Sequence, residues 1–412
     1  MKKKALCLYL AALITLFVGC TNQNQTSVNE VQTIEQVDTS TEAMNTTSSQ
    51  LNDKSSSPVN KCGILDLSDG GCAVINNNKS LYMWGKDNSG LMGSKEDAKL
   101  IKQPQEFFDN VKSVSISDSH AGIIKDDNNL YMWGSNSYGQ LGDGTNNYSG
   151  VPIKIMENVK TVELGFDYSA AITEDNSLYM WGYNSDGQLG NGTTENSSLP
   201  IKILDNVVDV SLGYAFCSAV TENGDLYIWG DDSTIVNIFG FEANNLTPQK
   251  VLENAKSSVI TGKNLAVITN DNSLLMRGDY NYDQIGNGAF NKERNASKNV
   301  IKDFVEVMEN VEKVSLSGLA CAAITTDGSL YLWGRNAYYQ IGDGTNVDRN
   351  TPIKVMDNVV DVKLWQWCSS AITKDGDLYT WGTSEYYYQL GNGDLTVQKI
   401  PTKILSNVLV EN

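Results

Sequence analysis

Thiols, aromatic rings and turn carboxylates are the groups from which this 412-residue sequence could build chemistry, because imidazole is almost absent. His120 is the one histidine. A His-based metal site, or most His-dependent nucleophile chemistry, needs more than a single such ring, so His120 is expected to be structural. No serine nucleophile elbow, phosphate-cradling glycine loop or metal-ligand spacing is found. Asp143, Asp186 and Asp343 stand near glycines but not at the spacing of a calcium loop, and they read as solvated turn carboxylates. The sequence therefore predicts a non-enzyme with no catalytic residue, no metal and no cofactor. Asp and Glu total 49 against 31 Lys and Arg, a net charge of -18. A surface of that sign repels phosphate backbones and anionic headgroups, which excludes nucleic acid and electrostatic membrane association as partners.

The first thiol with a distinct context is Cys20. Residues 1–19 carry three lysines followed by an apolar run from Ala5 to Val18, too short to span a bilayer and flanked like a signal peptide. Leu16-Phe17-Val18-Gly19-Cys20 resembles a bacterial lipobox, with Phe17 where Leu is usual. The resemblance implies that Cys20 is acylated and becomes the mature first residue, holding the protein extracytoplasmically on the bacterial cell membrane. Residues 20–60 then form a tether dominated by Ser, Thr, Asn and Gln and free of aromatic residues. Such a composition cannot offset the entropy of ordering, and about forty residues of random coil span roughly 35 Å.

Residues 61–412 must supply the elements. A Trp-Gly pair recurs at Trp84, Trp133, Trp181, Trp229, Trp333 and Trp381, at intervals of 49, 48, 48, 104 and 48. The long interval holds two units, since Arg277-Gly278 falls 48 residues after Trp229. Seven units with four short strand-like runs each predict an all-β, seven-bladed propeller. Tight Glu-Asn and Asp-Asn turns link the fourth run of one unit to the first of the next, whereas about seventeen residues carrying Gly-Gln-Leu-Gly link the third to the fourth. Short turns ordinarily join strands of one sheet, so the long segment is expected to cross between blades. On that phasing Pro401–Ile404 completes the blade begun at Gly63, and the C-terminal strand closes the ring. Arg277, in the tryptophan place, is expected to loosen blade five or to direct its charge outward.

The Trp-Gly, Gly-Gln-Leu-Gly and Asp-Gly elements, recurring from residue 62 to about 407, resemble repeats of the regulator of chromosome condensation family. The resemblance implies a seven-bladed interaction platform. It departs where Tyr168, Phe216 and Ala320 replace the family histidine and at Ile238-Phe239-Gly240 in blade four. The family's eukaryotic activity, nucleotide exchange on a nuclear small GTPase, is not expected of an exported, strongly acidic chain.

Cys72, Cys217 and Cys321 occupy one repeat position in non-adjacent blades, and Cys368 stands one place earlier, so all four read as small core residues. Alternating strand directions would gather the loop aromatics on one rim: Phe166, Tyr168, Tyr183, Tyr214, Phe216, Tyr280 and Tyr282, with the densest group in blades six and seven. Tyr338, Tyr339, Trp365, Trp367, Tyr386, Tyr387 and Tyr388 form that group and are the expected binding residues, since rigid rings bury much area at little entropic cost. The leading expectation is a lipid-anchored protein-binding module at the cell surface, for example an inhibitor of, or scaffold for, an extracytoplasmic enzyme. Binding of cell-wall glycan or polysaccharide is the alternative that stacking rings leave open.

Overall fold

The computed structural model describes residues 63–68, 70–87, 90–92, 100–230, 245–261, 263–289, 300–384 and 387–410. The leader, the tether, Cys20, Cys62, residues 238–240 and Tyr386 lie outside the described residues. Among the described residues the chain is all-β, with no helix. Seven four-stranded antiparallel sheets each take four consecutive strands, giving a seven-bladed propeller. Blade three runs Val159–Leu164, Tyr168–Thr173, Leu178–Gly182 and Ser197–Leu204 from the centre outward. Its second strand is buried at every position, whereas the outer one has no fully buried residue. That gradient is what sheets packed face to face around an axis require.

Inner strands of successive blades touch, and the first touches that of blade seven. Side chains tie them together. Ile116 N donates to Asp66 Oδ2 (2.8 Å), Leu164 N to Ser115 Oγ (3.2 Å), Ile260 N to Ser211 Oγ (3.1 Å) and Leu364 N to Ser315 Oγ (3.1 Å). Lys363 and Lys313 lie 3.6 Å from Asp66 and Asp361 respectively. The polar residues that interrupt these strands in sequence thus satisfy the amides of the neighbouring blade.

The phasing differs from the sequence-based expectation. Leu178–Gly182 pairs with Ser197–Leu204 across the long segment, so that segment stays within its blade. The tight Glu-Asn or Asp-Asn turn is the link between blades. Its Asn adopts a left-handed backbone, with φ of 55° at Asn158 and 59° at Asn206 and Asn358. Asn tolerates that conformation well, and it swings the chain sideways instead of folding it back. The next residue then docks under the preceding blade: Val159 N donates to Asn128 O (2.8 Å), Val207 N to Asn176 O (2.8 Å) and Val359 N to Gly328 O (2.9 Å).

Ring closure is corrected in the same way. Pro401–Ile404 belongs to Gln398–Leu405, which pairs with Leu378–Gly382 in blade seven. The residues that follow complete blade one. Asn407 repeats the left-handed pivot (φ 63°), Val408 N donates to Gly376 O (2.9 Å), Leu409 N to Ile75 O (2.9 Å), and Asn77 N to Asn407 O (2.8 Å). Asn76 and Val408 form an antiparallel bridge, and Val408 is fully buried. The tail therefore supplies the inner edge that the short strand Leu65–Leu67 leaves open.

All six repeat tryptophans are 0% exposed. Each removes roughly 150–250 Å² from water. Of the two outcomes expected for Arg277, an outward-directed charge is not found. The residue is 7% exposed, its guanidinium sits 5.0 Å above the Phe304 ring, and burial lowers its pKa. Cys72, Cys217, Cys321 and Cys368 are free thiols buried in the core, with burial pushing the Cys217 thiol up to about 12.

Candidate binding rim

Strand alternation places the links between first and second strands beside those between third and outer strands, on a common loop rim. Backbone bonds join the two sets: Tyr183 N to Asp167 O (3.0 Å), Arg335 N to Leu319 O (2.9 Å) and Thr383 N to Trp367 O (2.9 Å). The opposite turn rim carries exposed ion pairs such as Lys154–Glu157 (2.6 Å) and Lys202–Asp205 (2.5 Å).

The Gly-Gln-Leu-Gly segment makes the loop rim rigid. Gln140 O accepts bonds from Trp181 Nε1 and Ser169 Oγ of the next blade (both 2.8 Å). Its side chain accepts from Tyr138 N (3.0 Å) and donates to Asp167 (3.0 Å), while Leu141 is fully buried beneath. Gly142 must be glycine: its φ is +79°, and a Cβ there would meet Trp181 Nε1 at 2.7 Å. The same staple recurs from Trp229 to Gln188 O, Trp381 to Gln340 O and, across the closure, Trp84 to Gln389 O.

On this scaffold the expected binding residues divide. Tyr338 and Trp367 meet with ring centroids 6.1 Å apart. Arg335 bridges Tyr338 (5.5 Å) and Tyr282 (4.7 Å). Lys399 covers Tyr339 (5.0 Å), Lys86 covers Tyr387 (4.6 Å) and Lys102 covers Tyr388 (4.9 Å). The result is an alternation of cations and half-buried rings across blades five, six, seven and one. Trp365 does not join it, because it packs against the core cluster that includes Leu65 and Trp84 of blade one. Tyr386 is outside the described residues.

Three non-glycine residues share one left-handed turn position. Tyr339, Tyr388 and Asp283 have φ of 62°, 57° and 64° and stand where Gly139 and Gly187 stand in blades two and three; two of the three are aromatic. A left-handed conformation costs a non-glycine residue roughly 1–2 kcal/mol, so these rings are kept where glycine would fold more readily.

Tyr168 and Phe216, expected on the rim, are core residues at 1% exposure. Tyr168 Oη donates to Gly213 O (2.7 Å) beside Cys217. His120 fills the equivalent place in blade two, 2.7 Å from Ser117 Oγ through Nδ1 and 3.0 Å from Ser169 Oγ through Nε2. Full burial lowers its pKa to about 3, so it is a neutral packing residue. More exposed loop aromatics lie elsewhere: Phe166 (52%) and Tyr214 (60%) are in tilted contact at 5.9 Å, Tyr148 is 42% exposed, and Tyr138 (39%) is edge-on to Tyr183 at 4.9 Å. Tyr138 was missed in sequence, although it fills the repeat position of Tyr282, Tyr338 and Tyr387.

The regulator of chromosome condensation (RCC1) repeat model matches residues 127–172, 175–220, 327–367 and 375–410, and a second model of the same repeat matches 111–140 and 159–188. Among solved structures, Prp20p from Saccharomyces cerevisiae superimposes with a TM-score of 0.68 at 19% identity, over 79% of this chain and 85% of that one. Yeast RCC1 (Prp20) bound to Kap60 gives 0.68 at 18%, over 90% and 91%. Human WBSCR16 gives 0.67 at 18%, over 79% and 94%. No curated protein matches the chain. Matched segments in blades two, three, four, six and seven, the staples between them and these superpositions agree: the chain is a seven-bladed propeller that carries regulator of chromosome condensation (RCC1) repeats at those segments.

Proposed function

We propose that the propeller is a non-catalytic protein-binding module, held at an extracytoplasmic membrane surface by acylated Cys20, and that the cation-and-ring rim of blades five, six, seven and one contacts the partner. The observation that carries this reading is Tyr339 and Tyr388 in left-handed turn positions. Strain retained where a simpler residue would serve is a marker of function. Rigid rings and guanidinium groups are also the residue types that dominate binding energy at protein interfaces. Prp20p, which shares the fold, is described by its binding to Gsp1p and histones, and that use of a propeller as a protein platform supports the reading. Inhibition or scaffolding of an extracytoplasmic enzyme is the form of partnership proposed.

The test is affinity capture from membrane extracts with the full chain, comparing it with Tyr338→Ala/Tyr387→Ala and Tyr339→Gly/Tyr388→Gly. Loss of one specific captured protein in both variants is expected, with melting confirming that both fold. Undiminished capture overturns the assignment. For the anchor, Cys20→Ala should release the protein into the medium, and continued membrane retention overturns it.

A further inference from the structure

We propose that the loop surface carrying Tyr138, Phe166, Tyr183 and Tyr214 is a second docking surface, distinct from the cation-bearing one, and that its occupant is a basic segment of a polypeptide. Phe166, Tyr214 and Tyr138 are 52%, 60% and 39% exposed. They are not scattered. Phe166 touches Tyr214, Tyr138 touches Tyr183, and the two pairs are joined through Gln140, whose side chain bonds both Tyr138 N and Asp167, the residue next to Phe166. Ser119 Oγ adds a bond to Phe166 O (3.3 Å). The rings therefore stand on one hydrogen-bonded base.

Charge selects the occupant. Between Lys112 and Lys263 the sequence has six lysines and no arginine, and each lysine belongs to the turn rim or its flank. Lys154, Lys202 and Lys250 pair with Glu157, Asp205 and Glu253. Lys160 and Lys256 bond Asn176 and Asn272, and Lys125 lies over Tyr131. The loop rim of the same stretch carries Asp118, Asp143, Asp167, Asp186 and Glu195. In blades five, six, seven and one the chain brings its own cations to its rings; in blades two to four its cations are all on the other side. An arriving arginine or lysine would meet a ring face and a carboxylate together, so that the ring quadrupole and the negative charge attract it at once. Asp167 supports this: burial, with Asp118 adding like charge against a bond from Ser119, pulls its pKa up to about 6, a state that an incoming cation relieves.

The test uses the full chain and three labelled peptides of equal length, alternating glycine with arginine, glutamine or glutamate, followed by fluorescence anisotropy. The arginine peptide alone is expected to bind, more weakly as salt rises. Phe166→Ala/Tyr214→Ala and, separately, Asp167→Asn/Asp186→Asn should each weaken it by about tenfold or more, with melting confirming that both variants fold. Tyr338→Ala/Tyr387→Ala should bind it unchanged, which keeps this result independent of the partner proposed above. Equal binding of the glutamine peptide, no binding of any peptide, or full affinity in the ring variant overturns the proposal.

Discussion

His120 shows how much one side chain can govern in a repeat protein. Its pKa falls from 6.5 to about 3 on burial, so the unfolded chain takes up a proton below about pH 6.5 while the folded chain does not until about pH 3. The stability it contributes is complete above pH 6.5 and is lost as pH falls through that window, at about 1.4 kcal/mol per pH unit. Tyr168 occupies the same repeat position with its hydroxyl satisfied. His120→Tyr is thus expected to remove this acid sensitivity, and melting from pH 7 to pH 4 should show a smaller fall in Tm than for the unsubstituted chain; parallel curves would contradict it. Tyr388 makes a second residue-scale case. Tyr388→Gly relieves a left-handed backbone costing about 1 kcal/mol, whereas Tyr388→Ala keeps that cost and loses the same contact with Lys102. The Gly variant should melt above the Ala variant.

At the scale of the element, the tryptophan staple makes a blade part of a ring instead of a free sheet. Trp181→Phe keeps most of the buried area but removes the bond to Gln140 O, an expected loss of about 1 kcal/mol. Gly142→Ala puts a Cβ 2.7 Å from the same Nε1 at a φ of +79°, and should cost more, about 2 kcal/mol or above. Chemical denaturation of the two variants checks the order. The tryptophan periodicity and four-strand count were legible in sequence because both follow from burial on two faces. The phase was not, because Asp205-Asn206 reads equally as a hairpin turn or a sideways pivot until φ at Asn206 is known. The aromatic rim was legible in kind but not in detail: Tyr168, Phe216 and Phe166 are all loop-flanking rings, and only the depth of each loop separates the first two from the third.

At the scale of the molecule, six of the seven junctions between blades are continuous chain, and the seventh rests on non-covalent contacts between the two ends of the propeller. There Asn407–Leu409 takes the place that Asn358, Val359 and Val360 fill in blade seven, through a valine at the same position and two equivalent backbone bonds, Val359 N to Gly328 O and Lys374 N to Asn358 O. Burying Val408 is worth about 1.5–3 kcal/mol, and its loss would also leave the amide of Asn77 and the carbonyls of Gly376 and Ile75 unpaired, at about 1–3 kcal/mol for each group that water cannot reach. Because each blade is held only by its neighbours, opening this seam exposes the inner edge of blade one and frees Trp84 from Gln389. Truncation after Ser406 should therefore lower Tm sharply even though the outer strand Gln398–Leu405 stays intact. Val408→Asp, which keeps the chain length but places a charge at a fully buried site, should reproduce most of the loss. If instead both variants melt with the full-length chain, the seam is held by the Trp84 staple and the inner strands alone.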